Sequence, residues 1–325
     1  MPGKRKIVCL TPIRNEEWIL ERFLRCATIW ADVIIILDQN STDSSAEIAQ
    51  KFEKVKYVRD VNSSFSEIDR QQILLTSARE FGKGNVLIAL DADEVLSSEF
   101  ASSEEWERIR DLRAGTSILI ERINFTKGFV HCWADPPLEP FGFVDDGGEH
   151  SGTIIHTARV PRRIAAPQFW LREVKVIHFQ YVDWERMKSK HRWYQCWETL
   201  QFPEKRAHVI YRLYHHMYSV PSSLLRKPDS GWFEKYERRG IDMRTFRQEA
   251  FFWWDAEVEE MIRVNGERVF RRIDIWDEKH TWSEAYVDPR SIADKVVLNY
   301  LRLSQAFSRS IPIRLIDKLL FIIGW

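Results

Sequence analysis

The sequence predicts an α/β protein with a mostly parallel central sheet flanked by helices, followed by a helical, aromatic-rich C-terminal extension. Three observations predict this fold class. In the first third of the chain, short apolar runs alternate with segments of helical periodicity. The run Val33–Leu37 is apolar at every position, as in a strand buried on both faces of a parallel sheet. Beyond Asp183 the pattern becomes helical, and most of the 14 tryptophans lie after residue 130.

The first elements follow from periodicity in chain order. A strand at Lys6–Thr11 precedes a helix from about Asn15 to Trp30. The next elements are a strand at Val33–Leu37, a helix at Ser44–Phe52, a strand at Lys56–Val58, a helix at Ser66–Phe81 and a strand at Asn85–Leu90. This alternation predicts parallel strands whose carboxyl ends share one edge of the sheet, where folds of this class bind their ligands.

Shorter β-like runs predict that the chain then extends and closes the same sheet, with some antiparallel pairs. They are Ser117–Ile123, Gly152–Ile155 and Val174–Tyr181, and a loop at Ala134–Gly148 separates the first two. Helices are predicted at Trp184–Thr199, Lys205–Tyr218, Met243–Val264 and Ile292–Phe307. We therefore expect one domain at residues 1–183 and a helical extension at residues 184–325.

Composition excludes several classes of protein. The net charge is zero and the pI is about 7.1, which gives no electrostatic basis for binding nucleic acid. Four scattered cysteines without a CxxC pair argue against a zinc ribbon or a disulfide framework and fit a reducing compartment. Because no apolar run reaches the roughly 18 residues of a membrane span, we expect a cytoplasmic protein.

The triplet Asp91-Ala92-Asp93 carries the most chemistry. It follows an apolar strand, so its carboxylates leave a buried strand end in a fixed geometry. Two carboxylates one residue apart suit a hard divalent cation such as Mg²⁺ or Mn²⁺, which would neutralise a diphosphate leaving group. The triplet is also common by chance, and its position after the fourth strand is what favours function.

Two more polar segments follow strands. In Leu37–Asp43, Asp38 is suited to accept hydrogen bonds from a base or a ribose, while Ser41, Thr42 and Asp43 are typical of a helix cap. In Thr11–Glu16, the side chains of Arg14 and Glu16 offer polar contacts, although a capped helix start would use the same residue types.

Together these segments resemble the family 2 glycosyltransferases of the GT-A fold, over about residues 5–100. Thr11–Glu17 is similar to the family's P-x-x-N-E segment, Leu37–Asp43 to its D-D-G-S-T-D loop, and Ala89–Glu94 to its L-D-A-D motif. Gln39 and Asn40 depart from that loop, where the family has an acid and a glycine. Asparagine tolerates a left-handed backbone, so the turn is expected to survive.

The resemblance implies a function for each matching residue. Asp38 would contact the base, Asp91 the ribose and the metal shell, and Asp93 the metal. Donor contacts are thus assigned to Thr11, Pro12, Arg14, Glu16, Asp38, Asp91 and Ala92.

Two further residues are candidates for the same site. The resemblance implies that Arg70, on the helix before the Asp91 strand, would pair with the diphosphate; an ion pair with Asp69 or Glu67 at the surface is the alternative. The resemblance also implies that His178 is a third metal ligand beside Asp91 and Asp93, and its imidazole suits Mn²⁺ better than Mg²⁺. A structural histidine within a strand is the alternative.

The acceptor half of the reaction is less readable. An inverting transferase needs a carboxylate base opposite the donor, and the acidic, glycine-rich loop at residues 144–150 offers Glu149 and Asp146. An ordinary solvated loop has the same composition. Trp193 and Trp197, at helical spacing, suit either sugar stacking or a packed core.

The sequence thus predicts a metal-assisted glycosyltransferase of the hexosyltransferase type. Its donor would be a nucleoside-diphosphate-sugar, with a UDP-sugar favoured, and its acceptor a saccharide, lipid-linked or other hydroxyl. Inversion is implied only by the resemblance. The rivals are a sugar nucleotidyltransferase, disfavoured because no glycines follow the first strand, and a non-catalytic nucleotide-sugar-binding protein. The C-terminal segment Val296–Trp325 either packs on its own domain or gives peripheral contact with the inner face of a membrane.

Overall fold

A computed structural model describes residues 5–61, 65–135, 139–161, 166–249, 251–276, 282 and 286–325. The chain forms two compact units. The first contains the chain up to Val182 together with Lys227–Gln248, and the second contains Asp183–Arg226 and Glu249–Trp325. The assignment of separate functions to domains at 1–183 and 184–325 stays a prediction.

The first unit is built on one sheet. Its strands are β1 (Ile7–Ile13), β2 (Val33–Asp38), β3 (Val55–Arg59), β4 (Val86–Ala89), β5 (Glu94–Leu96), β6 (Ser117–Phe125), β7 (Cys132–Ala134), β8 (Glu139–Val144) and β9 (Gln168–His178). Their order is β3-β2-β1-β4-β8-β6-β9-β5, with β7 paired to the C-terminal end of β6. Strands β1 to β4 are mutually parallel, β6 and β9 are parallel to each other, and β8 runs antiparallel to both β4 and β6.

Helices of the first unit pack around this sheet. They are α1 (Leu20–Trp30), α2 (Ser45–Gln50), α3 (Glu67–Arg79), α4 (Glu104–Arg108) and α7 (Gly231–Glu237). Helix α1 shows why the sequence folds this way, since Leu20, Phe23, Leu24 and Ala27 recur at helical spacing and all are buried in the main core. Full burial of a leucine or phenylalanine side chain stabilises the fold by about 2–3 kcal/mol. The predicted α/β class with a central sheet and flanking helices is confirmed.

Two sequence predictions for this unit are wrong. Residues 152–155, predicted as a strand, form no strand. Instead β8 lies within the predicted loop Ala134–Gly148, where Pro140 and Gly142 hide the strand pattern. A glycine is required there because a Cβ at residue 142 would lie 2.8 Å from the Leu87 carbonyl oxygen on β4.

The second unit is helical, as predicted. Its helices are α5 (Trp184–Gln201), α6 (Ala207–Tyr214), α8 (Trp253–Asn265), α9 (Ile292–Ser304) and α10 (Ile311–Ile322). The helix predicted from Met243 begins only at Trp253, and the residues just before it that the structure describes are not helical. No helix in the described ranges combines the length and the apolar character that crossing a membrane requires.

Aromatic residues of α5 serve packing. Trp193 is 3% exposed, its indole N–H donates to Glu257 Oε2 at 2.6 Å, and its ring lies 6.1 Å from that of Trp197. Cys196 on the same helix is buried, and all four cysteines of the chain are free thiols. Of the two roles predicted for Trp193, packing in the core therefore fits better than stacking against a sugar.

Asp274, in the second unit, is a largely buried carboxylate held by two cationic side chains. Arg302 Nε donates to its Oδ2 at 3.2 Å, and His215 Nε2 lies 3.4 Å from the same oxygen. Burial alone would raise the pKa of Asp274, but His215 and Arg302 outweigh it and lower this pKa to about 2. The folded state therefore holds the ionised carboxylate more strongly than the unfolded chain does.

Replacing Asp274 with asparagine is expected to reduce the free energy of unfolding by about 2 kcal/mol at neutral pH. A depressed folded-state pKa contributes stability above the unfolded value of 3.8, and that stability is lost as the pH falls towards 2. Denaturant unfolding should therefore show a gap between wild type and Asp274→Asn that closes below about pH 4. Glu204→Gln, at an exposed position of the same unit, is the control; an equal gap at every pH would contradict the linkage.

Candidate active site

The loops after β1 and β2 are bound to each other. The backbone N–H of Asn15 donates to Ser41 Oγ at 2.9 Å, and Asn15 Oδ1 accepts the backbone N–H of Thr42 at 2.7 Å. The backbone N–H of Glu17 donates to Asp43 Oδ2 at 3.0 Å. Ser41 and Thr42 therefore join two loops, and the expectation that they cap α2 is wrong for both. Asn40, where the family motif has glycine, has a φ of 62°, as its tolerance of a left-handed backbone predicts.

Asp38 ends β2 and is 1% exposed. Its Oδ1 accepts the backbone N–H of Ser41 at 2.8 Å, and its Oδ2 accepts the Tyr57 hydroxyl at 2.6 Å. Burial, with the hydrogen bond to Asp38, raises the pKa of Tyr57 well above its usual value. Both carboxylate oxygens of Asp38 thus already accept a hydrogen bond from the protein. Because each oxygen has two lone pairs, a nucleotide base could still donate a hydrogen bond to the same oxygens.

Arg70 lies at the same edge of the sheet. Its Nη1 is 3.5 Å from Gln39 Oε1 in the loop after β2, and its Nη2 is 3.7 Å from Glu67 Oε1. The contact with Gln39 is long, and the buried Arg70 Nε has no hydrogen-bond partner among the described residues. Donor capacity of this guanidinium thus remains available beside the loop.

Strand pairing brings His178 to Asp93. His178, at the end of β9, is in register with Glu94 on β5 and with Asn124 on β6. Its Nε2 lies 3.6 Å from Asp93 Oδ2, and both side chains are largely buried. The backbone N–H of Phe179 donates to the Asp93 carbonyl at 2.8 Å, which fixes the two residues side by side.

Asn124 sets the tautomer of His178. His178 Nδ1 lies 2.7 Å from Asn124 Oδ1, which can only accept, so Nδ1 carries the hydrogen. Asn124 also helps to lower the pKa of Asp135, although its buried Nδ2 has no hydrogen-bond partner among the described residues. In the neutral imidazole Nε2 therefore presents a lone pair towards the Asp93 carboxylate, and two acceptors at this separation suit a cation between them.

Asp91 and Glu94 are held by Arg159. Arg159 Nη2 lies 2.8 Å from Asp91 Oδ2 and 3.0 Å from Glu94 Oε1, and its Nη1 also bonds to Glu94. Glu94 has no exposed side-chain surface, and its Oε2 accepts the backbone N–H of Asp91 at 3.0 Å. These carboxylates raise the pKa of Arg159 despite its burial, so the guanidinium stays charged.

A second arginine completes the network. Arg122 Nε donates to Asp135 Oδ2 at 2.9 Å, and its Nη1 lies 3.8 Å from Glu94 Oε1. Burial would raise the pKa of Asp135, but Arg122 and Asn124 outweigh it, and this pKa is lowered. Asp135 is therefore an ionised structural partner and a weak proton acceptor.

The three-ligand metal site predicted from Asp91, Asp93 and His178 stays a prediction. No group of three His, Cys, Asp or Glu side chains suited to a metal occurs in the described ranges. The physical reason is that Asp91 turns to Arg159, which leaves Asp93 and His178 as the pair that fits a metal. Mg²⁺ and Mn²⁺ sites commonly use one or two protein ligands, with phosphate oxygens and water filling the rest.

Four other residues predicted for the site do not present side chains to it: two are buried in the core and two lie at the opposite ends of the strands. Thr11 and Ala92 are buried, at 0% and 3% exposure, so they shape the site from within the core. Asp146 and Glu149 are exposed and follow β8, whose end pairs with the beginning of β4 through Val144 and Val86. They therefore lie at the opposite edge of the sheet from Asp91, away from a sugar held there.

Sequence reasoning missed the residues that support the pair. Asn124, Arg122 and Asp135 come from β6 and the chain after β7, and Arg159 comes from the segment after β8. No local motif marks any of them. The alternating pattern of β6 places Arg122 and Asn124 on one face, which is the one signal that could have linked them.

No family model and no curated protein matches the chain. Solved structures match in part. GalNAc-T7 with UDP, GalNAc and Mn²⁺ is 14% identical over 55% of this chain and 44% of its own, with a TM-score of 0.37. Glucosyl-3-phosphoglycerate synthase from Mycobacterium tuberculosis, with Mn²⁺, UDP and phosphoglyceric acid, is 18% identical over 37% and 43%, with a TM-score of 0.28. A 4-diphosphocytidyl-2C-methyl-D-erythritol synthase is 14% identical over 36% and 60%, with a TM-score of 0.29.

The chain spans about half of the length of the solved chains that it matches. With TM-scores below 0.5, the matches add no weight to any particular function, and a function must be argued from the residues of the site.

Proposed function

We propose that the first unit is a glycosyltransferase that takes its sugar from a nucleoside-diphosphate donor, with a UDP-sugar favoured, and passes it to an acceptor hydroxyl. The observation that carries the proposal is the Asp93–His178 pair, whose facing oxygen and nitrogen lie 3.6 Å apart. Asp93 follows β4, the strand next to β1, His178 ends β9, and the paired loops follow β1 and β2. Ligands of open α/β sheets bind at this edge.

The residues divide the work of holding the donor. The loops after β1 and β2 would hold the nucleoside, with Asp38 and the 12–16 segment on either side. Arg70 would donate hydrogen bonds to the diphosphate from the guanidinium N–H groups that are not fully used within the protein. Asp93 and His178 would hold Mn²⁺ or Mg²⁺, which supplies charge neutralisation of the departing diphosphate. Transfer with inversion at the anomeric carbon belongs to the proposal as well.

Ligand binding offers the direct test. Nucleoside diphosphates with different bases, each with and without Mn²⁺, are added to the full chain and the melting temperature is measured. A ligand that binds only the folded state raises it, by an amount set by concentration over Kd. We expect a rise for one base, largest with Mn²⁺. No rise with any nucleotide under either condition would overturn the proposal.

A non-catalytic nucleotide-sugar-binding protein is the second candidate, and one observation favours it. Arg159 pairs with Asp91, a residue that the sequence assigns to the donor and metal shell. Turnover separates the two candidates, since a transferase releases free nucleoside diphosphate from its donor slowly even when water replaces the acceptor. Nucleotide-sugar binding without any such release, with a range of acceptors present, would favour the second candidate.

A further inference from the structure

The end of the second unit exposes an unusual amount of apolar surface. Eleven large apolar side chains between residues 292 and 323 are at least 39% exposed, and seven of them lie on α10 or directly after it. Those on α9 and in the turn after it are Ile292, Val296, Leu303 and Phe307. Exposed apolar side chains that form a contiguous patch commonly mark a contact site with a membrane or another protein.

On α10 the exposed apolar residues form one stripe. Ile311, Leu315, Leu319 and Ile322 recur at steps of four, four and three residues, and they are 74%, 56%, 60% and 76% exposed. Residues at this spacing share one face of a helix. The stripe is therefore a continuous apolar ridge on the outside of the unit.

The other face of α10 is anchored. Arg212 on α6 donates to both oxygens of Asp317, at 3.1 and 3.0 Å, and Leu320 packs in a buried cluster with Tyr211 and Trp325. Since its buried face is fixed by α6, the stripe is presented rigidly and is not a face waiting to fold inward.

Charge completes the pattern. The acidic side chains of the last two helices, Asp294 and Asp317, are both turned inward, the first into the cap of α9 and the second onto Arg212. The exposed charged side chains from residue 291 onwards are all cationic: Lys295, Arg302, Arg309, Arg314 and Lys318. Arg314 and Lys318 lie one helical turn apart, beside the stripe.

We propose that α10 docks in the interface of an anionic phospholipid bilayer, with the stripe inserted among the acyl chains and Arg314 and Lys318 at the headgroups. An amphipathic helix with an apolar face and a cationic flank binds such surfaces in the membrane plane. A second copy of the chain is the poorer occupant, because a two-fold contact would place the same cations opposite each other. The site is independent of the chemistry proposed for the first unit.

Flotation of the full chain with lipid vesicles tests the proposal. Vesicles of phosphatidylcholine mixed with phosphatidylglycerol are compared with vesicles of phosphatidylcholine alone, at low and high salt. We expect binding to the anionic vesicles that weakens as salt screens the cations. Leu315→Ser combined with Leu319→Ser should weaken binding at least about tenfold, because two apolar side chains no longer leave water.

Matched controls make the result specific. Leu224→Ser combined with Val264→Ser removes apolar side chains that are 52% and 64% exposed elsewhere in the same unit, and should leave vesicle binding unchanged. Arg314→Glu combined with Lys318→Glu should weaken it by about thirtyfold or more, whereas Lys83→Glu combined with Arg268→Glu should not. All of these side chains are exposed, so the variants are expected to fold.

Three outcomes would overturn the proposal. The first is that the wild type binds anionic vesicles no more strongly than the variant with Leu315→Ser and Leu319→Ser (the stripe variant). The second is equal binding to both kinds of vesicle at every salt concentration. The third is a stable dimer in sedimentation that the stripe variant dissociates and that vesicles do not compete for, which would assign the stripe to a second copy of the chain.

Discussion

Replacing Asp93 with asparagine is expected to lower affinity for a nucleoside diphosphate in the presence of Mn²⁺ by at least about a hundredfold. The substitution keeps the size of the side chain and removes the charge that faces His178 Nε2 at 3.6 Å. Its effect should disappear when a chelator removes the metal, because the variant and the wild type then bind the nucleotide through the same loops. Calorimetry with and without Mn²⁺ measures both arms.

Asp111→Asn is the matched control, since Asp111 is an exposed aspartate of the same unit. It should change neither arm of the measurement. A loss of affinity in Asp93→Asn that persists without metal would mean that Asp93 holds the fold or the sugar and does not hold an ion. Unchanged affinity under both conditions would remove Asp93 from the donor site.

His178 provides the sharper half of this test. If Asp93 and His178 hold one ion, each single substitution removes most of its binding, and the second substitution adds little. Asp93→Asn combined with His178→Gln should therefore be about as weak as Asp93→Asn alone, a non-additive result that marks one shared function. Additive losses would show that the two side chains act separately and would contradict the paired site.

The donor half of the proposed site could be predicted from the sequence because its residues lie at the ends of strands. Asp38 and Asp91 each follow a buried apolar strand, and parallel strands bring their carboxyl ends to one edge whatever the details of packing. His178 was a candidate for a weaker reason, as a histidine late in a strand-like run. Its contact with Asp93 depends on the pairing of β5 with β9, which no local pattern encodes.

Strand direction explains the largest misplacement. The loop with Asp146 and Glu149 has the glycines and acids of a substrate lid, but β8 runs antiparallel to β4 and delivers that loop to the far edge. Composition alone carries no information on direction. Arg159 was missed for the related reason that its partners, Asp91 and Glu94, lie more than 60 residues earlier in the chain.

Replacing Arg159 with alanine is expected to destabilise the first unit by about 3 kcal/mol. The cause is the charge left behind. Glu94 has no exposed side-chain surface, and without Arg159 its carboxylate would keep the backbone N–H of Asp91 at 3.0 Å and Arg122 Nη1 at 3.8 Å. Removing one member of a buried ion pair costs far more than the pair contributes. Hydrogen exchange of the amides of β5, which begins at Glu94, and of its partner strand β9 reports the loss locally.

A second substitution that removes the unpaired charge of Glu94 tests this explanation. In an Arg159→Ala background, Glu94→Gln should recover a large part of the lost stability, because the amide has no charge to desolvate and keeps an oxygen for the Asp91 N–H. Arg159→Lys should fall between wild type and alanine, since it keeps the charge and loses the bonds to two carboxylates. If Glu94→Gln lowers the protection of these amides from hydrogen exchange further in that background, the loss caused by Arg159→Ala comes from lost packing. That packing includes the contact of Arg159 with Phe141, in which the guanidinium carbon lies 5.0 Å from the ring centre.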